Sequence, residues 1–377
     1  MDYEAFKQEI VDSIKDYLPD KYADANVTLQ AVTKNNDHIL DGIVITSPDS
    51  NVSPTIYLNS FFEQFKEGMP MEEILEQIAE IRDTHEVDKD FNVSRITDWD
   101  QVSDKIAPRV VDSEHNAELL AQRPHTMMDG IAVTYCIMLG EDENGSMSIP
   151  ITNQLMENWG LSSEQIHAVA LENLPELMPP TFKSMNEVMA EMMLPNMIEE
   201  CGGNREEAEA MLAMMMPPED KMFVVSNEQK LNGAAVLLNE KQMDEIAERF
   251  GGDFFILPSS VHECLIVPRS AGMELSDLEA MVQDVNATQV ALEDRLSDHV
   301  FSYDVETKEV YRADHEAEHM KAKEAAKAEK EKPEKGEKAK SEKPVSIADR
   351  MKAGKEKMNA QALNPKPMAK AKEAVLS

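Results

Sequence analysis

The composition of the chain changes just after Tyr311, and this change limits the part of the chain that can form a hydrophobic core. From Ala313 onward, Lys, Glu, Ala and Pro alternate with few apolar residues, and such a segment cannot bury enough apolar surface to fold alone. We therefore predict a charged low-complexity tail over residues 313–377 that is mostly disordered. The first 312 residues must contain the folded part, which is long for a single core.

The folded part is strongly acidic. The chain has 37 basic and 72 acidic side chains, and the tail holds 16 of the basic and 12 of the acidic ones. The first 312 residues therefore carry 21 basic and 60 acidic side chains, a net charge of −39. Such a surface repels phosphate groups and anionic lipids, so we expect no direct nucleic-acid binding by the acidic core and no membrane contact. An acidic DNA mimic that inhibits a DNA-binding protein is an alternative, although the acids are spread along the chain.

Cysteine usage and the first residues indicate a cytoplasmic protein. Cys136, Cys201 and Cys264 are far apart and form no CxxC pair, which is typical of a reduced cytosol and excludes a disulfide framework. The start, MDYEAFKQEI, has acidic residues where a signal peptide has basic ones. No apolar run is long enough to span a bilayer.

Hydrophobic periodicity predicts an α+β fold with mixed or antiparallel sheets and packed helices. Residues 1–90 form an N-terminal α+β module, in which Asn-Asn-Asp at 35–37 predicts the turn of a hairpin. Residues 91–312 form the main α+β domain. There Ser162 and Gln165 predict a capping box at a helix start, and AAVLL after residue 233 predicts a strand.

A methionine-rich helical insert is predicted within the main domain, over about residues 178–222. It holds 11 of the 26 methionines in the chain. Pro195, Gly202-Gly203 and the prolines at 217–218 interrupt its helical pattern. Because methionine side chains are flexible, such a segment fills irregular parts of a core or forms an adaptable partner groove. We expect core filling, with the groove as the alternative.

The densest group of reactive side chains in the folded part lies in FFILPSSVHECLIVP. FFIL is apolar at every position, which predicts a strand that is buried on both faces. CLIV is expected to return antiparallel after a turn at 258–263. On the second strand, adjacent His262 and Glu263 point to opposite faces and cannot form a base with its orienting acid. We therefore expect a structural hairpin. Ser259, Ser260 and His262 are candidates for a ligand-binding turn, and a hydrolase that works at this turn is an alternative.

A second cluster, HEAEH at residues 315–319, has the H-E-x-x-H spacing that places two imidazoles on one face of a helix, as in zinc proteases. A catalytic zinc ion needs a third ligand and a dry cleft, but downstream candidates such as Glu337 and Glu342 belong to the tail. We predict a solvated charged helix, with His315 and His319 as weak metal candidates and a hydrolase as the alternative. The sequence thus predicts no catalytic residue, no cofactor and no metal.

One segment of the tail has the pattern of a docking helix. Ser346 and Asp349 resemble a capping box, and Ile347, Met351 and Met358 recur at roughly helical intervals. The hypothesis is a segment that becomes helical on a partner, and the alternative is a solvated linker.

Four stretches of the chain resemble an uncharacterised protein family of unknown function. They are SPTIYLN, WGLSSEQIHAVALENL, AAVLLNEKQMDEIAERFGGDFFILPSSVHECLIVP and VNATQVALEDRLSDHVFSYD. The family is common in gut clostridia and related Gram-positive anaerobes, and some members accompany mobile elements. The resemblance covers most of residues 1–312 and implies no catalytic residue. The middle section is also similar to a second uncharacterised family of the bacillus type. Together these observations favour a non-enzymatic cytoplasmic interaction protein with an unidentified protein partner.

Overall fold

The fold is α+β, with antiparallel sheets and packed helices as predicted. The computed structural model describes residues 1–47, 53–84, 96–142, 145–217 and 220–330. The predicted docking segment at 346–358 and the rest of the tail beyond 330 lie outside the described residues. Among the helices that are described, none is both long and apolar enough to cross a bilayer.

The first layer packs three helices on a small antiparallel sheet with the strand order β1-β2-β3. Its core is separate from the others and includes Phe6, Ile43 and Ile74, each fully buried. The elements are α1 (Tyr3–Ser13), β1 (Asn26–Thr33), β2 (Ile39–Thr46), β3 (Thr55–Tyr57), α2 (Asn59–Lys66) and α3 (Met71–Thr84).

The turn between β1 and β2 fixes this layer to the rest of the fold. The predicted hairpin turn at 35–37 is confirmed, and Asn36 and Asp37 have positive φ angles, a conformation that Asn and Asp tolerate better than most residues. The Asp37 carboxylate accepts the backbone N–H groups of Glu118 and Leu119 at 2.9 and 3.0 Å. The Asn36 amide donates to the carbonyl of Leu292 at 2.7 Å. This short polar turn is therefore held by hydrogen bonds to two segments that are distant in sequence, one at residues 118–119 and one at residue 292.

The second sheet is built around one long strand, β6, which pairs with β4 along one edge and with β5 and β7 along the other. The predicted capping box of Ser162 and Gln165 is confirmed at the start of its covering helix. The elements are α4 (Trp99–Val102), β4 (Ile106–Asp112), α5 (Ala117–Gln122), β5 (His125–Met127), β6 (Ile131–Asp142), β7 (Gly145–Pro150), α6 (Asn153–Trp159) and α7 (Ser163–Leu177).

The third sheet has six antiparallel strands in the order β13-β12-β10-β11-β9-β8. The elements are β8 (Pro180–Ser184), α8 (Met185–Glu200), α9 (Arg205–Met215), β9 (Phe223–Asn227), α10 (Glu240–Phe250), β10 (Phe254–Leu257), β11 (Cys264–Pro268), α11 (Leu275–Thr288), β12 (Phe301–Asp304), β13 (Glu309–Arg312) and α12 (Glu316–Lys330).

Both faces of the third sheet are covered, as the uniformly apolar FFIL stretch predicted. Phe254 and Ile256 point into the large core that the second and third sheets share with α7 and α10. Phe255 and Leu257 point into a smaller core against α11. All four residues are buried, which fixes the hairpin β10–β11 in the centre of the fold.

Two local predictions are wrong. The AAVLL stretch belongs to a 3-10 helix over Gly233–Leu238, not to a strand. Residues 233–237 are buried, as predicted for the apolar run, but an apolar run this short does not distinguish a strand from a buried helical turn. The methionine-rich insert contains the two regular helices α8 and α9, and several of its methionines are exposed instead of filling the core. The predicted division at residues 90 and 312 stays a prediction.

Candidate functional site

The turn at 258–263 is a wide loop. Strand β10 ends at Leu257 and β11 begins at Cys264, and the two strands are antiparallel. The predicted hairpin is therefore confirmed. His262 and Glu263 precede the second strand, however, so the argument from alternating side chains does not apply to them.

Both ring nitrogens of His262 have protein partners. The backbone N–H of Asn232 donates to Nδ1 over 3.1 Å, and Nε2 lies 3.1 Å from Oδ1 of Asp294. Because Nδ1 accepts a hydrogen bond, the proton of the neutral ring is on Nε2 and is donated to Asp294. The imidazole therefore has an orienting carboxylate, but no nitrogen remains for a substrate.

The serines of this loop also take part in its internal bonding. The Ser260 hydroxyl accepts the backbone N–H of His262 at 3.0 Å, and the carbonyl of Ser259 accepts the N–H of Leu296 at 3.3 Å. Ser260 also pairs with Arg295 in an isolated β-bridge. The three candidates for a ligand turn thus fix the loop to the segment at 294–296, and this geometry does not favour a ligand site there.

His319 of the HEAEH cluster is buried, and the predicted solvated helix is wrong for this face of α12. The His319 side chain is 9% exposed. Its ring stacks on Tyr311 with centroids 3.9 Å apart, and Nε2 lies 3.0 Å from Oδ2 of Asp304. Both partners come from the hairpin β12–β13 that precedes the cluster, and the spacing of residues within the cluster does not reveal them.

The buried carboxylate of Asp304 holds the start of α12 in place. Its carboxylate accepts hydrogen bonds from His319 and from Lys323, whose Nζ lies 2.6 Å away, and from the backbone N–H groups of Glu306 and Thr307. Burial alone would raise the pKa of Asp304, but the hydrogen bonds outweigh burial and hold the pKa well below its usual range. Asp304 is therefore ionised at neutral pH.

His315 uses a different carboxylate. Its Nδ1 lies 3.0 Å from each carboxylate oxygen of Asp129, and its side chain is 42% exposed. The two imidazoles of the cluster thus have different partners. Asp129, between β5 and β6, binds His315, and the hairpin β12–β13 binds His319.

Within the described part of the chain, the imidazoles of HEAEH do not converge with a third ligand. Among the residues that the structure describes, the one trio of His, Cys, Asp or Glu ligand atoms close enough to share an ion is Glu279, His299 and Asp314. There the guanidinium of Arg312 donates to both carboxylate oxygens of Asp314, at 2.7 and 3.0 Å, and lies 3.2 Å from Nδ1 of His299. Because a cation already lies within this trio, the geometry does not favour a metal ion there.

His315 and His319 line one cleft with a volume of about 680 Å³, which is within the range of small-ligand sites. Its walls are the hairpin β12–β13, the first turns of α12, the start of α10, and residues of β5 and α7. Its apolar and aromatic surface comes from Met128, Leu237, Leu238, Met243, Tyr303, Val310, Tyr311 and Ala322.

Carboxylates outnumber cations in this cleft. The charged lining residues are Lys308, Asp129, Glu240, Glu309 and Glu318. The Lys308 ammonium is already bound by Glu240 at 2.9 Å and by Asp244 at 2.6 Å, and these contacts raise the pKa of Lys308. Glu318 is exposed and has no ion pair among the described residues. The cleft therefore has an excess of negative charge.

The wall opposite α12 contains a third imidazole, His167. Its Nδ1 lies 3.1 Å from the Tyr135 hydroxyl, which lies 2.6 Å from the hydroxyl of Thr126. Burial lowers the pKa of His167 and, against a small opposing contribution from Thr126, raises the pKa of Tyr135 to about 12. His167 is therefore neutral and Tyr135 protonated at neutral pH.

Sequence reasoning missed the cleft because its residues come from seven elements spread between Thr126 and Ala322. His167 lies in the helix that the capping box of Ser162 predicts and gives no separate signal. The H-E-x-x-H spacing at residues 315–319 did identify residues that line the cleft, but as candidates for a zinc site.

A family model described as "Family of unknown function (DUF5688)" matches residues 3–305. The match includes the floor of the cleft but ends before β13 and α12, which supply the remaining wall. No curated protein and no solved structure shows significant similarity to the chain.

Proposed function

This chain belongs to the family of unknown function DUF5688, and we propose that it is a non-enzymatic interaction protein that binds a cationic side chain of a partner protein in the cleft. The observation that carries this proposal is the distribution of charge. Among the described residues, four carboxylates and one lysine line the cleft, and the lysine is neutralised by Glu240 and Asp244. Glu318 has no ion pair among the described residues, and Glu309, whose Oε2 lies 3.7 Å from Nδ1 of His319, has a side chain that is 64% exposed, so both carboxylates are accessible to a ligand that supplies a guanidinium or ammonium group.

The apolar surface of the cleft supports a ligand with a carbon chain as well as a charge. Met128, Leu237 and Met243 lie in the same cleft as the carboxylates. The alkyl stem of an arginine or lysine side chain packs on such surface while its charged end reaches the acids. Arginine fits better than lysine because its planar fork binds a carboxylate through two hydrogen bonds.

The polar side chains that line the cleft support a binding role over a catalytic one. No serine or cysteine is among the described residues that line the cleft. The hydroxyl of Thr126 is bonded to Tyr135, and that of Tyr303 donates to Asp244 at 2.8 Å. His319 is held by Asp304 and stacked on Tyr311, so it supports the wall of the cleft.

A hydrolase is the second candidate, and one observation favours it. His315 and Asp129 have the geometry of a general base with its orienting acid. His315 could then activate water at Nε2. Cleavage of a bound peptide, detected by mass spectrometry and abolished by His315→Asn, would support this candidate over a binding role.

A cytoplasmic location and an association with mobile elements belong to the proposal as expectations from the sequence. All three cysteines are free thiols, which supports a reducing compartment. An acidic mimic of DNA is less favoured, because Asp129, Glu240, Glu309 and Glu318 converge on a cleft instead of lying along an open surface.

Titration of the full chain with short peptides tests the proposal. The probes are acetyl-Gly-Leu-X-Leu-Gly-amide peptides in which X is arginine, lysine, glutamate or citrulline, the neutral isostere of arginine. We expect the arginine peptide to bind at least about tenfold more tightly than the citrulline peptide, since a charge-assisted contact of this size is worth about 1.4 kcal/mol. The double variant Glu309→Gln/Glu318→Gln should reduce arginine-peptide binding by a similar factor.

The matched control is Glu72→Gln/Glu73→Gln, which changes the net charge equally at exposed positions in the first turn of α3. This control should leave binding within about twofold of the parent chain, since screened charges at a distance contribute little. Equal weakening by both double variants would show general attraction to an acidic protein and would contradict a site in the cleft.

A further inference from the structure

Helices α8 and α9 form a helical hairpin, residues 185–215, that exposes an unusual number of methionines; we refer to it as the methionine hairpin. Thirteen large apolar side chains are exposed among the residues that the structure describes, and five of them lie in these two helices. Met192 and Met214 are 74% and 87% exposed. The five exposed methionines are Met189, Met192, Met211, Met214 and Met215.

The methionine hairpin has a core of its own that leaves this surface uncovered. Met197, Ala208 and Leu212 are buried between the two helices. The hairpin follows β8, the edge strand of the third sheet. A group of exposed apolar side chains on one element, in contrast to scattered single ones, is typical of an interaction site.

A groove at the base of the hairpin continues this apolar surface. Its volume is about 520 Å³, and Met185, Met189 and Met222 contribute to its walls. An exposed face that leads into a groove has room for the side chains of a second helix.

The charge of the methionine hairpin indicates the kind of partner. Between residues 185 and 215 there is one cation, Arg205, against seven glutamates. Arg205 is paired with Glu209 at 2.7 Å, and Glu191 is paired with Lys183 from β8. The charge that remains on the methionine hairpin after these two ion pairs is therefore negative. The carboxylates are Glu187, Glu191, Glu199, Glu200, Glu206, Glu207 and Glu209.

We propose that the methionine hairpin is a docking surface for a basic amphipathic helix of a partner protein. The apolar face of that helix packs on the exposed methionines, whose flexible side chains adapt to its shape. Its lysines and arginines lie beside the glutamates of α8 and α9. Recognition of this type combines apolar anchors at helical spacing with flanking charge. The surface is separate from the cleft and does not depend on its function.

A pair of isomeric peptides tests this proposal on the full chain. The first is a helix of about fourteen leucines and lysines, four turns long, with all leucines on one face. The second has the same composition with the leucines dispersed. We expect the amphipathic isomer to bind at least about tenfold more tightly than the dispersed one, because only the first presents a continuous apolar face.

Two sets of serine variants locate the binding. Met192→Ser, Met214→Ser and Met215→Ser together should weaken binding of the amphipathic isomer about tenfold or more. The matched control replaces exposed apolar residues elsewhere, Leu29→Ser, Ile39→Ser and Met147→Ser, and should keep the affinity within about twofold. Circular dichroism verifies that both sets are folded.

Three results would overturn the proposal. Equal affinity for the two isomers would show attraction by charge alone. Equal affinity of the hairpin variant and the parent chain would place the peptide elsewhere. The third result comes from sedimentation without peptide. If the parent chain formed concentration-dependent dimers and the hairpin variant did not, the surface would be assigned to a second copy of this chain. Because Glu309→Gln/Glu318→Gln should not affect the amphipathic isomer, failure here is distinct from failure of the cleft.

Discussion

Individual polar residues hold this fold together over long sequence distances. Asp304 binds His319 and Lys323 of α12, and Asp294 binds His262. In both cases a histidine that the sequence marks as reactive has its carboxylate partner in a distant segment. Local spacing reveals the type of residue but not its partner, so the roles of these histidines could not be predicted.

Removal of the Asp304 charge should destabilise the protein in a pH-dependent way. Asp304→Asn should lower the free energy of unfolding at pH 7 by about 3 kcal/mol, because His319 and Lys323 lose the buried carboxylate that accepts their hydrogen bonds. The folded-state pKa of Asp304 is depressed, so its stabilisation is complete well above the unfolded pKa of about 4 and is lost progressively as pH falls below about 5.

Urea denaturation at a series of pH values measures this effect. The variant should lose less stability than the parent between about pH 5 and pH 2. Asp24→Asn, at an exposed position, is the control and should follow the parent. Parallel curves for Asp304→Asn and the parent would show that the carboxylate has no special stabilising role.

His262 should affect stability and leave ligand binding unchanged. His262→Ala removes the partners of the Asn232 N–H and of Asp294, which should cost about 1–3 kcal/mol of unfolding free energy. Glu263→Ala, at the exposed neighbouring position, should cost much less. If His262→Ala instead abolished arginine-peptide binding at unchanged stability, the loop at 258–263 would be a binding site after all.

At the scale of elements, the sequence predicts regular segments well and irregular ones poorly. The hairpin at 35–37, the capping box of Ser162 and the pair β10–β11 were predicted because turn residues, caps and uniformly apolar strands act locally. The turn over Gly233–Leu238 was missed because its helical conformation depends on packing from all sides. The start of α12 was predicted as a solvated charged helix, and its contact with the fold was missed because its stabilising partners lie on β12 and β13.

Helix α12 should contribute to stability, although the composition after Ala313 predicts a dispensable tail. A chain that ends at Arg312 lacks Glu316, His319 and Lys323, which contact Arg269 and Asp304. It should be less stable by about 3 kcal/mol than a chain that ends at Lys323. The transition midpoints of the two truncated chains in thermal unfolding measure this difference. Equal midpoints would support the predicted boundary at Ala313.

At the scale of the whole molecule, acidity is the property that both proposed surfaces share. The first 312 residues carry a net charge of −39, and this field attracts basic partners before any specific contact forms. Specificity must then come from shape and apolar surface. The cleft offers a partly enclosed site for one side chain, whereas the methionine hairpin offers an open face for a helix.

The most direct test of the binding role is a spectrum of the full chain with ¹³C-labelled methionine methyl groups. Met128 and Met243 line the cleft, and Met192 and Met214 lie on the methionine hairpin, so one titration reports on both surfaces. The arginine peptide should shift the Met128 and Met243 signals in a saturable way and leave the Met192 and Met214 signals in place, and the citrulline peptide should shift none at the same concentration. Unchanged Met128 and Met243 signals at a concentration where the arginine peptide is bound would contradict the account.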